Sequence, residues 1–100
     1  MPVSTRNAYI VSYDISDPRR LRQVFKIMRG TGDHLQLSVF RCELNPSELI
    51  KLKDRLGEVI HHGEDQVLFA NLGPVDGRGS RCINAIGRAY THPERHAVVV

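Results

Sequence analysis

An α+β fold is predicted for this chain by three features of its 100 residues. Strand-like and helix-like segments alternate as strand, helix, a strand pair or bent strand, helix, strand. Each helix is announced by its own cap, Asp17-Pro18 and Asn45-Pro46. Behind each cap the apolar residues recur at helical spacing, and between the helices they recur at every second position. This order suits a ferredoxin-like βαββαβ sandwich, with both helices on one face of an antiparallel sheet.

The elements follow in order. Residues 8–15 form the first strand, since Tyr9, Ile10, Val11 and Tyr13 are β-branched or aromatic and the run is apolar enough to be central. Asp17 then offers an N-cap oxygen, and Pro18 fixes φ at the first helical position. Leu21, Val24, Phe25 and Met28 stand at i, i+3, i+4 and i+7, a complete apolar stripe, and Gly30-Thr31-Gly32 ends the helix. Residues 34–44 alternate with period two but change phase. Leu35, Leu37 and Val39 share one face; Phe40, Cys42 and Leu44 share the other. A bulge or tight reversal between Val39 and Phe40 would bring both sets into the core, giving two short strands or one sharply bent strand.

Asn45-Pro46-Ser47-Glu48 has the form of a capping box, followed by the stripe Leu49, Leu52, Leu56, Val59 and Ile60. Residues 65–72 are a further strand, and residues 73–81 a flexible loop. Residues 82–90 are open between strand and short helix. The terminal His96-Ala97-Val98-Val99-Val100 reads as an extra strand that needs a sheet edge, its own or a partner's. The chain is one domain, with a core at 1–74 and an extension at 75–100, because its length leaves no room for a second core. A chain this small buries a modest core, so a homodimer interface is a natural further source of stability.

Charge narrows the function classes. Residues 1–45 carry seven Lys or Arg against four acids, so positive charge gathers in the first half and suggests contact with a polyanion. No apolar run approaches transmembrane length, and the polar start has no signal-peptide character, which leaves no membrane role. Cys42 and Cys82 stand far apart without a C-x-x-C, as reduced thiols in a cytoplasmic protein do.

Asp14 is the first candidate for chemistry, a carboxylate closing an apolar strand. It either caps the turn before the helix or holds a cation. Mg²⁺ usually takes one or two carboxylates with waters and phosphate oxygens, and a two-fold dimer would supply a second Asp14. In the first helix Arg19, Arg22, Lys26 and Arg29 fall within an arc of roughly 80°, with Arg20 on the other flank. No acid occurs from 18 to 32, whereas solvated helix faces usually mix signs, so the row suits phosphates along a backbone. The histidines offer less: His61 and His62 diverge around a helix, His92 and His96 straddle Pro93, and no zinc spacing exists. Gly73, Gly77 and Gly79 match neither phosphate-binding glycine fingerprint, and "LSVFRCEL" departs from the aromatic pattern of an RNA-recognition motif.

Together, "IVSYDI", "DPRRLRQVFKIM", "LQLSVFRCEL" with the Asn-Pro-Ser-Glu helix start, and "DQVLFANLGP" resemble the small CRISPR-associated endoribonuclease family, the smaller subunit of the spacer-acquisition machinery. The resemblance covers about residues 8–74. It implies a ferredoxin-like homodimer that hydrolyses phosphodiester bonds of RNA or double-stranded DNA with Mg²⁺. Asp14 would bind one ion shared with the Asp14 of its dimer mate, Tyr13 would flank it, Arg19, Arg20 and Arg22 would meet phosphate, and Ser38 and Phe40 would line the cleft. The partner implied is the CRISPR integrase subunit. An alternative within the family is a non-catalytic scaffold that bridges integrase subunits and lays the Arg19/Arg22/Lys26/Arg29 row on duplex DNA. A third reading, a regulatory domain for a small ligand, rests on architecture alone.

Overall fold

The computed structural model describes residues 5–80 and 82–90. Its elements are β1 (Asn7–Asp14), α1 (Pro18–Arg29), β2 (Asp33–Gln36), β3 (Val39–Leu44), α2 (Pro46–Val59), β4 (Gln66–Pro74) and a 3-10 turn, Arg78–Ser80. The four strands form one antiparallel sheet in the order β2-β3-β1-β4. Strands β1 and β2, joined through α1, flank β3; strands β3 and β4, joined through α2, flank β1. This is the interleaved ferredoxin-like arrangement that the sequence predicts.

Both caps form. The Asp17 side chain accepts from the backbone N–H of Arg19 and Arg20, each at 3.0 Å. Asn45 and Glu48 complete a reciprocal capping box, side chain to backbone at 2.8 and 2.9 Å. Burial alternates along β1, with Tyr9, Val11 and Tyr13 beneath the helices and Asp14 exposed, as the period of a strand requires. Tyr9 faces Cys42 and Val11 faces Phe40 on β3, so the core runs unbroken across the two central strands. Val24 and Met28 of α1 and Leu52 and Leu56 of α2 close it from above.

Two expectations about the core are corrected. The reversal in residues 34–44 occurs at Leu37-Ser38, not between Val39 and Phe40. Leu37 therefore sits at the tip of the turn, 90 % exposed, where it has no sheet face to share and cannot join the core. Leu21, counted in the α1 stripe, is 38 % exposed and faces a surface cleft together with Leu37.

Residues 73–81 are not simply a loop. β4 runs on to Pro74, and Gly79 of the 3-10 turn packs so tightly that an added Cβ would lie 2.7 Å from the Gly73 carbonyl oxygen. Residues 82–90 form neither strand nor helix. The terminal strand at 96–100 lies outside the described residues.

Where α1 returns to the sheet, Gly32 is pressed against β3. A Cβ there would stand 2.5 Å from the Arg41 carbonyl oxygen and 2.6 Å from Cys42 Sγ. Gly32→Ala is expected to destabilise the fold by about 2 kcal/mol, since backbone must move to admit the methyl group. Urea unfolding followed by circular dichroism measures this.

Candidate active site

Asp14 ends β1 on the sheet face opposite the helices. Cross-strand pairing sets Ser12 beside Val39 and Leu68, Ile10 beside Arg41 and Ala70, and Asp14 beside Gln66, so these side chains share that face. One end of the face is covered. Arg41 is fully buried there, donating to Glu43 at 2.8 Å and to the Gly79 carbonyl at 3.0 Å, which ties the 3-10 turn to the sheet. The Asp14 end is open, and Leu68 near it is 56 % exposed.

Tyr13 follows the opposite pleat. Its ring is buried toward the helix layer, so it adjoins Asp14 along the chain while pointing away from it. Burial raises its phenol above the ordinary tyrosine pKa. The Tyr13 backbone N–H donates to the Ser38 carbonyl at 3.1 Å, which fixes the β2–β3 turn beside the end of β1. Phe40, expected to line a cleft, is fully buried instead. It packs behind Tyr13 with ring centres 6.2 Å apart and under His34 at 4.7 Å, because the reversal at Leu37-Ser38 puts its pleat toward the core. Phe25 closes this aromatic cluster edge-on to His34 and Phe40.

The cations divide into two sets. Arg19, Arg22 and Lys26 are exposed on α1 and make no ion pair among the described residues; Arg29 continues the row with its guanidinium 5.7 Å from the Phe25 ring centre. Arg20, expected to meet phosphate, is held elsewhere. Its Nε donates to Asp65 at 2.7 Å and its Nη2 reaches Asp65, Glu64 and Ser16. Asp65 also accepts from the Ser16 and His61 backbone N–H groups. The Arg20 guanidinium and these donors hold the Asp65 carboxyl well below the usual carboxylate range. The clamp fastens the start of α1 to the start of β4.

The donors around Asp14 decide whether one chain can hold the implied Mg²⁺. Among the described residues no three His, Cys, Asp or Glu side chains gather as a metal set. One chain thus offers a single exposed carboxylate with open apolar surface beside it, fewer protein donors than a complete Mg²⁺ site of its own would need. Sequence reasoning missed Asp65, Phe25 and His34. The first pairs with an arginine 45 residues away, and the other two were read as parts of a stripe and a strand.

Solved structures share this architecture. The chain resembles Streptococcus pyogenes Cas2, with TM-score 0.70 and 32% identity over 80% of this chain and 99% of that one. It also resembles the protein TT1823 from Thermus thermophilus, with TM-score 0.71 and 28% identity over 86% and 96% of the two chains. Curated relatives are the CRISPR-associated endoribonuclease Cas2 of Geobacter sulfurreducens, 44% identical over 92% of this chain and 96% of the relative, and a CRISPR-associated endoribonuclease Cas2 of Rhodospirillum rubrum, 39% identical over 97% and 94%. The family model for CRISPR associated protein Cas2 matches residues 7–76, and the chain belongs to that family. Among the described residues no helix is long and apolar enough to cross a membrane.

Proposed function

We propose that this protein is a Mg²⁺-dependent endonuclease that cleaves phosphodiester bonds of RNA or double-stranded DNA, acting as a homodimer with the CRISPR integrase subunit in spacer acquisition. The observation that carries the reading is the exposed Asp14 at the open end of a sheet face bearing Ile10, Val39, Leu68 and Ala70. Two copies meeting on this face bury the apolar residues and bring two Asp14 carboxylates together. Those carboxylates would repel one another unless a cation offset their charge, so the two Asp14 side chains would hold one Mg²⁺. When bound, the ion supplies Lewis acidity to the phosphate and lowers the pKa of a coordinated water.

The chain's own residues handle the substrate. Arg19, Arg22, Lys26 and Arg29 bind backbone phosphates and offset their charge. Ser38 holds the end of β1 in place through its carbonyl, and buried Phe40 supports Tyr13. Arg20 acts through the clamp with Asp65 rather than on phosphate. The relatives named as endoribonucleases support the activity, and membership of the Cas2 family supports the place beside an integrase. Labelled single-stranded RNA and duplex DNA incubated with Mg²⁺ or EDTA test the reading; cleavage by the purified protein that EDTA abolishes is the expected result.

A second reading is favoured by one observation: the cation row lies on the helix layer, while Asp14 lies on the opposite sheet face. Binding and cleavage are therefore separable, and a dimer could bridge integrase subunits on duplex DNA without using Asp14. Under either reading, Arg22→Glu with Lys26→Glu weakens nucleic-acid binding at least tenfold at moderate salt and flattens its salt dependence by about two phosphate contacts. Fluorescence anisotropy over a salt series measures both changes. Only the enzymatic reading couples them to slower cleavage.

A further inference from the structure

A cleft of about 540 Å³ opens between α1 and the β2–β3 turn, within the range of roughly 300–1,000 Å³ common to small-ligand sites. Its lining is Tyr13, Leu21, Phe25, Leu37 and Ser38, with Arg22 and Lys26 contributing from the cation row. We infer that this cleft is a nucleobase subsite, which takes one unpaired base of a strand whose phosphates lie on the α1 cations. The inference rests on the nucleic-acid reading above and adds to it the place where a base of the bound strand is held.

Three features point to this occupant. The cleft joins apolar walls to two cations that make no ion pair among the described residues, and a nucleotide is a ligand with an apolar planar part beside an anionic one. An aliphatic side chain from a protein would use the walls and leave both charges unanswered. Leu37 is 90 % exposed at the turn tip and Leu21 is 38 % exposed on the facing helix, so a flat group between them removes apolar surface from water on both sides. Finally, Tyr13 is 5 % exposed and its Oη is buried without a hydrogen-bond partner among the described residues. Buried hydroxyls are nearly always partnered, and base edges carry the donors and acceptors this one lacks. Phe25 is held by edge contacts to His34 and Phe40 at 5.2 and 5.8 Å, so one wall is in place before any ligand arrives.

The cleft lies on the helix layer and gives a paired base nothing to insert. A single-stranded or locally opened substrate is therefore the form that fills it, and stacking on protein side chains tolerates many sequences.

The test uses the full chain and two short fluorescent strands, one an ordinary oligoribonucleotide and one of the same length and charge with abasic positions throughout. Wild type is expected to bind the base-bearing strand about tenfold more tightly. Leu37→Ser should abolish most of that preference while leaving the abasic strand's affinity unchanged, and Leu21→Asn on the facing wall should repeat the effect. Leu37 is exposed, so unchanged thermal unfolding of the Leu37→Ser protein excludes misfolding as the cause. Tyr13→Phe, which removes only Oη, should narrow the difference between homopolymers of different bases. Equal binding of both strands by wild type overturns the subsite, leaves the phosphate row standing and turns the cleft over to an apolar protein side chain. Equal loss for both strands in Leu37→Ser also overturns it. Binding of neither strand overturns the nucleic-acid reading itself.

Discussion

Replacing Asp14 with alanine is expected to lower Mg²⁺-dependent cleavage about a thousandfold. The size follows from the several kcal/mol of charge stabilisation that a divalent ion gives a phosphoryl transition state, at one factor of ten for each ~1.4 kcal/mol. Asp14 is exposed at a strand end, outside the buried cluster, so thermal unfolding of the monomer should barely change. In the proposed dimer the same substitution would remove a like-charge contact across the axis. Without Mg²⁺ the Asp14→Ala dimer should therefore dissociate less readily than wild type, a difference sedimentation at falling protein concentration can detect. Kinetics on labelled RNA and duplex DNA, with both proteins purified identically, read the first effect. Retention of wild-type activity would remove Asp14 from the chemistry and point to a different site or a contaminating nuclease. No activity in either protein, with duplex binding retained, would favour the scaffold.

The second large effect is on the fold. Asp65 presents a fully buried carboxylate that accepts from Arg20 Nε at 2.7 Å, from the Ser16 N–H and hydroxyl at 3.0 Å each, and from the His61 N–H at 2.8 Å. Asp65→Ala leaves a guanidinium and two backbone donors without their acceptor, and the melting temperature should fall by about 10 °C. Acid titration checks the same clamp with a definite sign. The Asp65 pKa in the folded protein is depressed below its ordinary value of 3.8, so its stabilisation is complete above that value and is lost as pH falls below it toward the folded pKa. Asp17 and Glu48, lowered by the backbone N–H bonds at their helix starts, act in the same direction. Wild type should lose stability steeply below about pH 4, whereas Asp65→Ala should begin lower and show a shallower acid limb. Melting followed by circular dichroism between neutral and acid pH separates the two curves.

Much of the fold was legible because its signals are local. A cap oxygen, a proline at the first helical position and a stripe at helical spacing lie within a dozen residues of one another, and both helices begin where those signals stand. The reversal was legible as a change of phase but not at its position. Alternation alone does not say which residue forms the tip, and an apolar Leu37 at a turn resembles a strand residue until the sheet is built. Of the candidate site, Asp14 and the cation row were readable, since strand ends and helix faces follow from periodicity. Periodicity also set Arg20 and Arg22 on different flanks of the helix, but it did not show what Arg20 would meet there. They stand two positions apart with the same chemistry, yet the helix turns one toward an acid 45 residues on and the other toward solvent. Phe40 lies in the core with Cys42 and Leu44, as its alternation indicated; only the cleft role implied by the family resemblance fails.

The central claim is that two copies of Asp14 make one cleaving centre, and mixing tests it most directly. Wild-type and Asp14→Ala chains, combined so that protomers exchange freely, are assayed with Mg²⁺ at constant total protein while the wild-type fraction is varied. If each centre needs both carboxylates, activity falls as the square of that fraction. Activity proportional to the wild-type fraction, or no Mg²⁺-dependent cleavage by undiluted wild type, would contradict the claim.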